Sequence, residues 1–128
     1  MRNNNPGNLR KSSSAWQGKI ANGTDPAFEQ FQTFAYGTRA MIKLLKNYIG
    51  DGYNTLDKII NRWAPASDGN NPGSYISSVA FNGGLIPNQV LTANKETLRK
   101  LAIPMADVEN GRNGVISNEM FDLAYSML

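Results

Sequence analysis

Apolar residues recur at helical spacing through most of the chain after residue 36. Between Tyr36 and Ile49 they form one continuous stripe, which predicts a helix with a single buried face. Gly50 and Gly52 follow and are expected to end it. A second helix is predicted to begin after Thr55, a good N-cap residue, and to end before Ala64-Pro65, because a residue that precedes proline is disfavoured in helical geometry.

Three further helical stretches are predicted beyond a loop rich in Asn and Gly at residues 68–73. One begins near Tyr75 and is closed by Gly83-Gly84. The next is capped by either Thr92 or Asn94, and Pro104 is expected to open a separate short helix, since proline is well tolerated in a first turn. The last is capped by Ser117. The sequence therefore predicts about five or six helices.

The first third of the chain lacks this period. Residues 9–11, 16–20 and 28–32 read as short strands, and Asn22-Gly23 is a typical hairpin turn. A short N-terminal β-hairpin region followed by helices corresponds to an α+β fold, predicted to form one domain over residues 1–128.

Composition limits the chemistry. The chain has 128 residues, 41% of them hydrophobic, with a net charge of +3 and neither Cys nor His. A globular domain is expected, without a nucleophile that depends on Cys or His and without a zinc site. The groups available for acid–base chemistry are then the ten carboxylates, Tyr and Lys. No metal and no cofactor are expected. The basic residues are dispersed, so nucleic-acid binding is not predicted.

No apolar run reaches the length of a membrane span, and no secretory signal is visible at the polar N-terminus. We therefore expect a protein of the phage virion, or one delivered to the bacterial periplasm and cell wall by a route other than a signal peptide.

The segment that ends in Val108-Glu109-Asn110-Gly111 carries the most specific chemical signal. An apolar helical stretch ends in a carboxylate, and its apolar neighbours are expected to raise the pKa of Glu109. A carboxyl group of this kind can protonate a glycosidic oxygen; the alternative is an ordinary surface Glu at a helix end. The pattern resembles the end of the catalytic helix in the lysozyme-like superfamily.

Several motifs occur together in the first 80 residues: Arg2 to Gly7, Leu9-Arg10, Trp16-x-Gly18, Phe28-x-x-Phe31, Gly37-x-Arg39-Ala40, Asn54-Thr55 and Trp63-Ala64-Pro65. This set resembles a family of small phage and prophage proteins described as structural or lysozyme-like.

The order Asn5 to Arg10, Trp16-x-Gly18 and Phe28-x-x-Phe31 also resembles bacterial glucosaminidases, in which a catalytic-Glu helix precedes these motifs. Here the similar Glu lies near the other end of the chain. The resemblance implies a circularly permuted lysozyme-like (lytic transglycosylase or glucosaminidase) domain, and residues 1–10 should then pack against residues 104–112.

The resemblance implies Glu109 as general acid/base and Glu29 as a second carboxylate, if one takes part. Aromatic rings can stack on sugars, and amides can bind hydroxyl and acetamido groups. On these grounds the predicted substrate-binding residues are Asn5, Asn8, Arg10, Trp16, Gln30 and Tyr36. Trp63 and Tyr75, on apolar helical faces, are predicted to belong to the core instead.

The predicted function is cleavage of peptidoglycan glycan strands, as a muramidase or a lytic transglycosylase. The alternative is a non-catalytic virion structural or wall-binding protein. Bacterial peptidoglycan is the predicted partner, with other virion proteins as further partners if the role is structural.

Overall fold

A computed structural model describes residues 2–128. Within them, five α-helices follow a long irregular N-terminal region (residues 2–33): α1 is Phe34–Gly50, α2 is Leu56–Trp63, α3 is Pro72–Gly83, α4 is Lys95–Asn110 and α5 is Asn118–Ser126. Short 3-10 turns occur at Arg2–Asn4 and Ala66–Asp68. None of the described helices combines the length and the apolar character needed to cross a membrane.

The helices surround a buried cluster to which all five contribute. Met41 and Leu45 from α1, Ile59 from α2 and Phe121 from α5 are fully buried in it. The most extensive helix contacts join α3 to α4 and α1 to α5. This arrangement leaves the C-terminal end of α4 beside the N-terminal region.

The predicted helix starts are confirmed at three caps. The side chains of Thr55, Asn94 and Ser117 each accept a hydrogen bond from the backbone N–H three residues later. This bond satisfies one of the donors that a first helical turn leaves without a partner. The choice between Thr92 and Asn94 is settled in favour of Asn94.

The α+β prediction is wrong, because the described residues form an all-helical fold without a sheet or a β-hairpin. The three predicted strands meet only at two isolated bridges, Arg10 with Phe28 and Lys19 with Phe31. The Asn5 side chain explains part of this outcome. Its amide bonds to the N–H and C=O of Leu9 and to the C=O of Glu29, and so occupies positions that a neighbouring strand would need.

The separate helix predicted at Pro104 is also wrong, because α4 runs through this residue without a break. Proline removes the hydrogen bond that would reach the carbonyl of Lys100. Gly83 of α3 lies against that carbonyl so closely that a Cβ atom would overlap it. Helix α3 therefore packs closely on α4 at the point where Pro104 interrupts the hydrogen bonds of α4.

Candidate active site

Glu109 lies in the last turn of α4, which Gly111 ends in a left-handed conformation with φ 64°. Both carboxylate oxygens accept hydrogen bonds. The Tyr75 hydroxyl donates to Oε2 at 2.8 Å, and the Asn8 amide donates to Oε1 at 3.0 Å. The carboxylate is thus held in a defined orientation by one residue of α3 and one of the N-terminal region.

The N-terminal region is attached to the end of α4 by more than this contact. Asn8, in a left-handed conformation with φ 50°, also donates to the main-chain oxygen of Glu109 at 3.1 Å. The Asn110 amide donates to the carbonyl of Pro6 at 2.9 Å. The expected packing of residues 1–10 against 104–112 is therefore confirmed at Pro6 and Asn8; Met1 lies outside the described residues.

The expected rise in the pKa of Glu109 is confirmed in direction. Burial raises this pKa above its ordinary value, because a partly desolvated carboxylate is less stable when ionised. Hydrogen bonds from Asn8 and Tyr75, and the positive charge of Arg10, act in the opposite direction without cancelling the effect of burial. The environment thus favours the protonated acid more than water does.

Tyr75 is 6% exposed, and its ring belongs to the core, as predicted. Its hydroxyl nevertheless reaches Glu109 and lies 3.3 Å from the carbonyl oxygen of Met105. Burial, followed by the negative charge of Glu109, raises the pKa of Tyr75 well above its ordinary value. The hydroxyl therefore remains a neutral hydrogen-bond donor at any pH at which the protein would work.

Glu109 opens onto a cleft of about 660 Å³. One side is formed by the N-terminal region, and the other by α1, α2 and the loop that follows α2. Besides Glu109, Tyr75 and Asn8, the larger and charged side chains of its lining are Arg10, Trp16, Phe28, Tyr48, Arg62, Trp63 and Asp68. A cleft of this size, with aromatic and polar walls, suits an extended ligand with both apolar and polar faces.

Three of the six predicted substrate-binding residues line this cleft: Asn8, Arg10 and Trp16. The other three lie outside the lining. Asn5 is buried and bonds to backbone, Gln30 bonds to Asn3 and to the backbone N–H of Thr24, and Tyr36 packs over Gly18. These three residues support the N-terminal region that carries Asn8 and Arg10.

Glu29 does not join Glu109 in the cleft. It is 1% exposed, and its Oε2 forms an ion pair with Lys19 Nζ at 3.0 Å and accepts a hydrogen bond from Ser12 at 3.3 Å. A buried, paired carboxylate of this kind fixes the loop to which it belongs. The second carboxylate in the cleft lining is Asp68, which stands in the loop after α2.

Two residues of the cleft wall were missed from the sequence. Arg62 of α2 lies over the rings of Tyr48 and Tyr53, with its guanidinium carbon 5.2 Å and 4.6 Å from their centroids. Tyr48 in turn packs edge-on against Trp63, with 5.7 Å between ring centroids. The i, i+4 spacing of Lys58 and Arg62 shows that they share a helix face, but no local pattern pairs that face with α1.

Comparison with known proteins places the chain among phage proteins. No family model matches the chain. Over 124 residues it is 37% identical to Protein P5 of Pseudoalteromonas phage PM2, an alignment that covers 94% of this chain and 76% of that protein. The chain therefore belongs to the family of this phage protein. The phage part of the resemblance is confirmed, whereas the lysozyme-like part stays a prediction.

Proposed function

We propose that this phage protein cleaves the glycan strands of bacterial peptidoglycan, with Glu109 as the general acid and base. The observation that carries the proposal is the position of Glu109. Its carboxyl group is partly buried, has a raised pKa and faces an open cleft lined by aromatic and polar side chains. Glycosidic bond cleavage requires an acid that is still protonated near the working pH.

The proposed reaction begins with transfer of the Glu109 proton to the glycosidic oxygen, so that the bond from this oxygen to the anomeric carbon of N-acetylmuramic acid breaks. Hydrogen bonds from Tyr75 and Asn8 then stabilise the carboxylate left behind. This carboxylate next removes a proton from the nucleophile that attacks the sugar cation. In a hydrolase the nucleophile is water; in a lytic transglycosylase it is a hydroxyl of the same sugar, which closes an anhydro ring.

The proposal uses Glu109 alone, because Glu29 is occupied by its ion pair with Lys19. A single dominant carboxylate suits the transglycosylase route, in which the substrate supplies its own nucleophile. Action on the wall requires that the protein be carried in the virion or delivered to the periplasm.

A non-catalytic virion or wall-binding role is favoured by one observation. Both oxygens of Glu109 are satisfied by hydrogen bonds within the protein, as in a carboxylate that only joins structural elements. In that case the cleft would bind glycan without cleaving it.

Incubation with purified sacculi, followed by mass analysis of the soluble fragments, separates these functions. Anhydro products would indicate a transglycosylase, new reducing ends a hydrolase, and an absence of products the non-catalytic role. The decisive variant is Glu109→Gln, with Glu119→Gln on the exposed face of α5 as the matched control. We expect the first variant to lose about 10²–10⁴-fold or more in rate and the control to retain the parental rate. Equal activity in both variants would contradict the assignment of Glu109.

The Gln replacement can keep the site intact. Its oxygen can accept from Asn8 while its N–H donates to the Tyr75 oxygen, provided that the Tyr75 hydroxyl turns to donate to Met105 O, 3.3 Å away. Every polar atom then has a partner, so lost activity would not reflect a misfolded cleft.

A further inference from the structure

A second hollow adjoins the cleft at Arg62 and Pro65. This hollow has a volume of about 680 Å³, and Arg62 and Pro65 line both spaces. The second hollow is otherwise formed by the turn after α1 and by the exposed face of α2, including Asp51, Tyr53 and Lys58. A ligand in the cleft therefore meets Arg62 at the margin that the cleft shares with the second hollow.

Arg62 is held at this junction by aromatic contacts. Its guanidinium carbon contacts both rings of a tilted pair, Tyr48 and Tyr53, whose centroids are 5.9 Å apart, and Nη1 lies 3.3 Å from the Tyr53 hydroxyl. Contacts with two rings restrict the exposed guanidinium, which lowers the entropy that binding must remove. The remaining N–H groups retain the fork geometry that fits a carboxylate.

The described carboxylates leave this guanidinium unneutralised: none of them lies within 4.0 Å of it as an ion-pair partner. Asp51 and Lys58, both in the second hollow, bring one negative and one positive charge to its surroundings. By contrast, Arg99 of α4 is bonded to both Glu96 and Asp122. Arg62 thus combines a guanidinium restricted by two aromatic rings with a charge that no described carboxylate pairs.

We propose that Arg62 forms an anion subsite that binds a carboxylate carried by the glycan strand, at a sugar removed from the bond that is cleaved. This inference rests on the proposed function for the identity of the polymer. Within peptidoglycan such a carboxylate has two sources: the lactyl group of N-acetylmuramic acid in strands without peptides, and the acidic groups of the peptide stems. Neutral oligomers of N-acetylglucosamine carry neither and would fill the cleft without using Arg62.

The test measures the binding of three fragments of equal sugar length: neutral N-acetylglucosamine oligomers, glycan strands freed of peptide, and strands that carry stems. Titration calorimetry is performed on the Glu109→Gln protein, so that no fragment is cleaved, and on the same protein with Arg62→Gln added. We expect Arg62→Gln to weaken binding of carboxylate-bearing strands about tenfold, equivalent to about 1.4 kcal/mol, and to change neutral binding by less than about twofold. The carboxylate-bearing fragment with the larger loss identifies the source of the anion.

Two further variants control for charge and structure. Lys58→Gln removes the same charge from the same hollow without touching the aromatic stack, and should change binding less than about twofold. Arg62→Lys keeps the charge but loses the planar fork, and should give an intermediate loss. Equal losses for neutral and anionic fragments would overturn the subsite, as would equal losses in Lys58→Gln and Arg62→Gln, or an absence of binding to every fragment.

The subsite and the proposed catalysis can fail separately. If the parental protein releases no products from sacculi but the Arg62-dependent preference for carboxylates is present, the subsite stands and the protein is a wall-binding module. If products are released and the preference is absent, catalysis stands and the subsite is refuted.

Discussion

Removing the Tyr75 hydroxyl directly tests how hydrogen bonding in the site sets the pKa of Glu109. In Tyr75→Phe the ring can remain in the core while the hydrogen bond to Glu109 Oε2, 2.8 Å long, is lost. This bond stabilises the ionised carboxylate and so lowers the pKa of Glu109. Its removal should therefore raise the pKa further, so that the protonated acid persists to higher pH.

The size of the shift follows from the kind of bond that is lost. A hydrogen bond to a charged group contributes about 1.5–3 kcal/mol. Because the cleft is open, water can replace part of the missing donor, which favours the lower limit. A change of one pKa unit corresponds to about 1.4 kcal/mol. We therefore expect the pKa of Glu109 to rise by about one unit, while the Asn8 amide continues to hold Oε1.

Carbon-13 NMR of protein labelled at its four glutamates can follow this titration directly, and Glu109→Gln identifies the signal. Tyr36→Phe is the matched control, because Tyr36 packs over Gly18 outside the cleft. If the protein is active, the alkaline limb of its pH–rate profile should move upward with the pKa. An unchanged or lower pKa of Glu109 in Tyr75→Phe would refute this account of the hydrogen bond, whether or not the protein is an enzyme.

Three further outcomes are expected. Because the pKa of Glu109 is raised in the folded protein, ionisation of Glu109 lowers the free energy of unfolding as pH rises. Glu109→Gln should therefore melt at a higher temperature than the parental protein at pH 7. The difference should vanish below pH 4.5, the ordinary pKa of a Glu side chain. A gap independent of pH would show that ionisation is not its cause. Gly37→Ala should lower the free energy of unfolding by about 1–3 kcal/mol, because its Cβ would overlap the Asn4 carbonyl. In chemical denaturation, Gly50→Ala, which meets no neighbour, should show no such loss. Trp16→Ala should reduce retention on sacculi with a small change in melting temperature; a large drop would assign Trp16 to the core.

The helices could be predicted because their signals are local. An apolar stripe identifies the face that will be buried, and a side chain such as Thr55 or Ser117 bonds to the backbone of the turn that it begins. The break predicted at Pro104 failed for a tertiary reason. Gly83 brings α3 close to the carbonyl that the proline leaves without its helical partner, and packing outweighs the local preference.

The irregular N-terminal region could not be predicted from alternation alone. The segments around Phe28 and Phe31 have strand-like residues and form a few backbone bonds, but the Asn5 amide takes the positions at Leu9 N–H and Glu29 C=O that would extend the pairing. Asn5 is four residues from one of its partners, Leu9, and 24 residues from the other, Glu29. No period in the sequence reports such a contact.

The candidate site was partly visible from the sequence. The sequence predicts Glu109 and Asn8 as site residues and expects their segments to pack together, and the two side chains are bonded in the structure. The prediction for Glu29 depends on a hairpin that does not form, and Glu29 instead pairs with Lys19. Arg62 was missed because its significance depends on two tyrosines that a different element supplies.

The bond between Asn8 and Glu109 joins residues 101 positions apart, which has a consequence for synthesis. Asn8 leaves the ribosome long before α4 has been made, so its amide can bond to Glu109 only near the end of translation. Closing so large a loop carries an entropic cost that only cooperative packing of the helices can offset. The acid is therefore placed correctly only in a chain that has folded throughout, and a nick or deletion within the first ten residues should disturb Glu109 as directly as a change beside it.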